Sequence, residues 1–203
     1  MSKTIAQLMQ LSGTVPVGYN YDQTKFRAEL VQDTNTNTWT QLTSGATARQ
    51  FASVIYYNDG TNNKMVVFGG YDGTNYLNDV WEYNLDTNIW TQRPIISTTL
   101  PVVRDEHQAI YYNDGTNNKM VVFGGQDGTN VFNDVWEYNL DTNVWTQLTP
   151  RAIVSRNMST IYYNDGTNNK MVVFGGQNAT TFVNSTWKYI LDNLFLILYS
   201  KLI

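Results

Sequence analysis

Few side chains in this sequence could carry chemistry, and their spacing sorts them quickly. The turn Asn58-Asp59-Gly60-Thr61-Asn62-Asn63 and its recurrences offer oxygen atoms of the kind calcium takes. They lack the alternating carboxylates and closing glutamate of an EF-hand loop. Turn formation accounts for them, as it does for Asp72-Gly73 and Asp127-Gly128. His107 is the only histidine, and a histidine-based metal centre needs partners, so a packed or surface imidazole is expected. The Asn-x-Ser/Thr sequons at Asn157, Asn178 and Asn184 matter only in a secretory pathway. The arginines are the best candidates for binding. Arg49 and Arg104 each stand seven residues before a Tyr-Tyr pair, and Arg156 stands six before the next. Guanidinium forks favour acidic or phosphorylated partners. No Ser/His/Asp or paired-carboxylate arrangement repeats in a way that suggests catalysis.

What must position these residues is a repeat. Tyr-Tyr-Asn-Asp-Gly-Thr-Asn-Asn-Lys-Met-Val-Val-Phe-Gly-Gly occurs three times without a change, at Tyr56–Gly70, Tyr111–Gly125 and Tyr162–Gly176. The offsets are 55 and 51 residues. A period near 50 means a repeated supersecondary unit rather than one irregular core.

Within a unit, Ala52–Tyr57 is rich in apolar and β-branched residues. A turn cluster follows, then the apolar run Met65-Val66-Val67-Phe68, ended by Gly69-Gly70. Two such runs around a turn read as a β-hairpin, the second strand buried on both faces. Asn78–Leu85 alternates, with Trp81, Tyr83 and Leu85 on one side and Glu82 and Asn84 on the other, which predicts a half-exposed strand. Asp86-Thr87-Asn88 turns the chain into a fourth strand, Ile89–Gln92. Each unit is thus a four-stranded antiparallel sheet, with strands a to d in chain order. One small sheet cannot bury its aromatics alone, so neighbouring sheets must stack.

Gly69-Gly70, Tyr83 and Trp90, with Gly124-Gly125, Tyr138 and Trp145 in the second copy, resemble the kelch repeat: a double glycine followed by spaced Tyr and Trp. The resemblance covers roughly residues 26–192 and implies an all-β fold, a β-propeller with radial blades. Residues 1–25 are a lead-in, read either as loosely ordered or as a docking helix capped by Thr4 and ending at Gly13. Residues 26–42 read as a half-blade, 49–92 and 104–147 as full blades, and 155–192 as a partial blade. Residues 193–203 form a divergent apolar tail, read as a substitute strand or as readthrough from an interrupted frame. About three to three and a half blades do not close a ring. A fragment, an open array, or a homodimer completing a six-bladed ring would answer that, the last driven by unpaired sheet edges.

The resemblance also implies a pocket on one side of the ring. Arg49, Arg104 and Arg156 face it, with the residues after each double glycine, Tyr71, Gln126 and Gln177. The residues after the following asparagine, Asp79, Asp134 and Ser185, complete it. Arg–Asp pairs that lock the blade top are the alternative role for these arginines. The expected function is a protein- or peptide-binding scaffold without catalysis and without a cofactor. The alternatives are a structural or truncated propeller, or a carbohydrate-related propeller enzyme domain lacking its catalytic residues. A galactose-oxidase-type copper site needs cysteine and several histidines, and this chain has no Cys and one His. A net charge of −4 and a pI near 4.8, with no basic run, offer no footprint for nucleic acid. No signal peptide or membrane-length apolar run is read, so the expected compartment is the cytoplasm.

Overall fold

The computed structural model describes residues 39–151, 154–178 and 180–191. The chain divides into residues 1–40 and 41–203. Of the first unit only Trp39 and Thr40 are described, and Trp39 is fully exposed at 103%. The expected helix within residues 4–13, most of the half-blade 26–42 and the tail 193–203 lie outside the described residues. Trp39–Leu42, expected to end a fourth strand, carries no strand.

In the second unit every described element is a strand. The first sheet is β1 (Ser53–Asn58), β2 (Asn63–Tyr71), β3 (Tyr76–Asn84) and β4 (Ile89–Gln92), ordered as in the chain. The second is β5 (Gln108–Asn113), β6 (Asn118–Phe123), β7 (Val135–Asn139) and β8 (Val144–Leu148). The third has β9 (Ser159–Asn164), β10 (Asn169–Phe174) and β11 (Thr186–Ile190). All pairings are antiparallel, and β1, β5 and β9 adjoin in that order. The sheets therefore fan from their first strands as a partial β-propeller.

The turns explain the hairpins. Asp59 Oδ1 accepts the Thr61 and Asn62 amides at 2.8 and 2.7 Å, and Asp114 Oδ1 does the same for Thr116 and Asn117. The carboxylates thus serve the turn, and these bonds hold the Asp59 carboxyl below its usual range. Asp86 reaches across to the Asn63 amide at 2.6 Å, tying the c–d turn to the a–b turn.

Two cores fill the spaces between sheets. Ile55, Tyr57, Val66 and Phe68 of the first sheet meet Met120, Val122, Trp136, Tyr138 and Trp145 of the second. Ile110, Tyr112, Val121 and Phe123 of the second meet Met158, Met171 and Val173 of the third. Strand β3 departs from the half-exposed reading. Glu82, on its supposed solvent side, is only 9% exposed. It accepts from Tyr57 Oη (3.0 Å) and Lys64 Nζ (2.8 Å) and pairs with Arg93 Nη2 at 2.6 Å. Arg93 also reaches Asn143 of the second sheet at 3.2 Å. The second sheet covers this face of the first, so a charge there is kept only by such a network.

His107 is packed, 1% exposed, with Nε2 2.8 Å from Ser53 Oγ and its ring edge-on to Phe68 at 5.1 Å. Burial, and then the nearby Arg104 charge, push its pKa down to about 3. The unfolded imidazole titrates near 6.5. Protons therefore bind the unfolded chain first, and the stability present above pH 6.5 is lost as pH falls towards 3. We expect wild type to lose about 2 kcal/mol between pH 6.5 and 5. His107→Met, which copies Met158 of the third repeat, should remove that slope in urea titrations at the two pH values.

Candidate functional site

The double glycine is where one blade meets the next. Gly69 and Gly70 have φ of +61° and +98°. A Cβ at either would lie 2.8 Å from a backbone oxygen, of Arg104 and Gln50 respectively. Freed of side chains, the Gly70 amide donates to Arg104 O at 2.8 Å, and Gly125 donates to Ser155 O at 2.9 Å. The same bonds set the true register of the segments that lead into each first strand. Ser155, not Arg156, stands where Arg104 stands.

Arg49 and Arg104 are engaged in one geometry, repeated. Arg104 Nη1 and Nη2 grip Asp134 at 2.7 and 2.8 Å, and Nη1 also donates to Gly124 O at 2.9 Å. Its Nε donates to Val102 O at 3.0 Å, and its guanidinium lies 4.5 Å from the Phe132 ring centre. Arg49 holds Asp79 at 2.6 and 3.0 Å and Gly69 O at 3.0 Å. Trp81 and Trp136 each donate their indole N–H to the same aspartates at 2.7 Å. Burial pushes the Asp79 and Asp134 carboxyls up, but the arginine bonds and the indole hold both below the usual range. Arg104 is fully buried, so this is a clamp between the start of strand a, the end of b and the start of c.

The third repeat lacks both halves of the clamp. Ser155 and Ser185 replace arginine and aspartate together, and Trp187 Nε1 donates to Ser185 Oγ at 2.9 Å. Arg156 instead takes the register of Gln50 and Asp105. All three pair by an isolated bridge with the residue after the double glycine: Gln50 with Tyr71, Asp105 with Gln126, Arg156 with Gln177. Arg156 Nη1 bonds Glu106 of the preceding blade at 3.2 Å. The nine residues thus separate into two interlocked Arg–Asp pairs, a serine that receives an indole, and a set of bridged residues beside Arg156.

One feature at this end was not visible in the residue types. Phe51, Glu106 and Asn157 occupy equivalent positions and all have positive φ, of 57°, 53° and 53°. Glu106 N donates to Phe51 O at 3.1 Å, and Asn157 N to Glu106 O at 3.0 Å. A backbone thread therefore runs from blade to blade across the mouth, holding non-glycine residues in a costly conformation. Next to it Asp105 is 3% exposed. Burial first, and then the charge of Glu106, raise its pKa.

Antiparallel sheets fanned about their first strands, joined at double glycines and filled by spaced tyrosines and tryptophans, define a kelch-type propeller. The family model described as the KLHDC2/KLHL20/DRC7 kelch-repeats domain matches residues 12–195, so the chain belongs to the kelch-repeat family. It is 32% identical over 119 residues to mouse (Mus musculus) kelch domain-containing protein 1, covering 58% of this chain and 29% of that protein. It is 28% identical over 138 residues to human (Homo sapiens) kelch domain-containing protein 10, covering 64% and 29%. It is 28% identical over 142 residues to the Drosophila melanogaster leucine-zipper-like transcriptional regulator 1 homolog, covering 65% and 14%. The chain thus spans under a third of the length of these relatives. Among the described residues no helix is long and apolar enough to cross a membrane.

Proposed function

We propose that this chain is a protein- or peptide-binding module that acts without catalysis and reads its ligand at the mouth where β1, β5 and β9 begin. Kelch repeats are generally protein-interaction modules. The observation that carries the reading is where the repeats differ. Their hairpins are identical, yet the mouth holds Gln50, Phe51 and Tyr71 in one blade, Asp105, Glu106 and Gln126 in the next, and Arg156, Asn157 and Gln177 in the third. A rigid scaffold with varied side chains at one rim is how loops on a fixed frame recognise partners. Arg49, Arg104, Asp79 and Asp134 hold the rim in shape, while Tyr71, Gln126, Gln177, Ser185 and Arg156 supply contacts. Acidic groups of the second blade stand beside Arg156 of the third there, which favours a mixed polar peptide over a purely acidic one.

Selection of a displayed peptide library on the full chain tests this. Selected peptides should bind about tenfold or more weakly to Arg156→Ala and to Tyr71→Ala, measured by calorimetry. Equal binding to both variants and wild type would remove the mouth as the recognition surface.

A further inference from the structure

The chain carries five Asp-Gly steps, at Asp59, Asp72, Asp114, Asp127 and Asp165. We propose that one of them, Asp72–Gly73 beside the mouth, is a site of spontaneous covalent modification, the conversion of aspartate to isoaspartate, and that the fold protects the other four. In this reaction the glycine nitrogen attacks the carboxyl carbon of the preceding side chain. A C–N bond forms, and the carboxyl hydroxyl leaves as water with the amide proton, closing a succinimide ring. Water then opens the ring. Opening at the former backbone carbonyl leaves the chain running through the side chain, longer by one methylene and unchanged in mass. Glycine permits the attack because no side chain shields its nitrogen.

The five steps share most of their surroundings. All five glycines are exposed, so exposure does not separate them. Each aspartate accepts two backbone amides at Oδ1, as Asp59 does from Thr61 and Asn62 and Asp72 from Thr74 and Asn75, both at 2.8 and 2.7 Å. What differs is the attacking nitrogen. In the a–b turns it is occupied: Gly60, Gly115 and Gly166 donate to the Oδ1 of Asn58, Asn113 and Asn164 at 2.8, 2.8 and 2.7 Å. That bond holds the proton that must leave and fixes the peptide plane that must turn. The same carboxylates are paired with lysine, Asp59 with Lys64 at 3.5 Å, Asp114 with Lys119 at 3.6 Å, and Asp165 with Lys170. An ammonium favours the ionised carboxylate, which is the poorer electrophile.

In the b–c loops the residue before the aspartate is Tyr71 or Gln126, not asparagine. Among the described residues the Gly73 and Gly128 amides donate no hydrogen bond, and neither Asp72 nor Asp127 has a paired lysine. Room then separates these two. A Cβ added at Gly128 would lie 2.7, 2.9 and 3.0 Å from three atoms of Tyr76, so an aromatic side chain covers that peptide. At Gly73 nothing stands within 4 Å. Gly60 is open but bonded, Gly128 is unbonded but covered, and Gly73 alone of the five is both unbonded and open. The step directly follows Tyr71, whose amide and carbonyl bond Gln50 at 2.9 and 3.0 Å. Isoaspartate would displace the carboxylate that holds Thr74 and Asn75, and the loop beside Tyr71 would lose its turn.

Trypsin places each step in its own peptide, residues 50–64, 65–104, 105–119, 120–151 and 157–170, since the bond between Arg93 and Pro94 resists cleavage. The full chain is aged at neutral pH, digested, and labelled with an isoaspartyl methyltransferase and radioactive S-adenosylmethionine. The 65–104 peptide should gain label about five- to tenfold faster than the a–b turn peptides, the worth of one hydrogen bond in a rate. The 120–151 peptide should fall behind it. Asn58→Ala should raise labelling of 50–64 by a similar factor, and Asn113→Ala that of 105–119, each without changing 65–104. In concentrated urea the five peptides should label alike, because the dipeptide is the same in each. No label, equal labelling of the folded chain, a lead by any other peptide, an asparagine variant whose effect is absent or not confined to its own peptide, or the same order in urea overturns the assignment.

Discussion

Arg104→Ala is expected to destabilise the fold by about 3–5 kcal/mol, the usual result of removing one partner from a buried ion pair. The guanidinium is fully buried and makes two bonds to Asp134 and one each to Gly124 O and Val102 O. Without it Asp134 loses both guanidinium bonds and keeps the Trp136 indole and its own backbone amide. The molecule also contains the remedy. Ser155 and Ser185 stand at the same two positions in the third repeat, so the double variant Arg104→Ser/Asp134→Ser should be more stable than Arg104→Ala. Its coupling energy in a double-mutant cycle should be about 1–3 kcal/mol. The sign with pH follows from the depressed Asp134 carboxyl. Its contribution is complete above the ordinary carboxylate value of about 3.9 and is lost as pH falls through the lower folded value. Urea titrations at pH 7 and pH 3 should therefore show the advantage of wild type over the double variant shrinking in acid. A loss below about 1 kcal/mol for Arg104→Ala at pH 7 would contradict the clamp.

Trp136→Ala is expected to cost about 3–5 kcal/mol as well. The side chain is 5% exposed, sits edge-on to Trp145 at 6.4 Å, and loses a buried N–H bond to Asp134 when truncated. Trp81 occupies the same place in the first sheet but is only half-buried there, because among the described residues no sheet covers the outer face of that blade. Trp81→Ala should cost about half as much. Parallel urea curves with unchanged slope would attribute the difference to packing rather than to the unfolded state.

The architecture was legible because its signals repeat. The double glycines, the Asp-Gly turns and the Ile89–Gln92 strand each report a local backbone need that recurs with the period. The site was legible only in part. Residue type groups Arg156 with Arg49 and Arg104, although the count of seven back from the tyrosine pair falls on Ser155. The Gly125–Ser155 hydrogen bond shows that the chain enters the third blade in step and that Arg156 stands one residue past the position of Arg104. The left-handed thread through Phe51 and Glu106 has no sequence signal, since neither residue favours that conformation and only tertiary pairing holds it there. Glu82 misled for the opposite reason. Alternation implied solvent on its side, and the next sheet stands there instead.

The identical hairpins carry a consequence for how the chain assembles. Each forms within about 1–10 µs from interactions inside its own turn, and at that stage the three are indistinguishable. What tells a hairpin which neighbour to join lies in the unlike residues around it, among them His107 against Met158, Arg93 against Leu148, Arg104 and Asp134 against Ser155 and Ser185, and the charged rim. Order among the blades is thus decided late and by small differences. A sequence this uniform invites permuted intermediates that must come apart before the right stack can form.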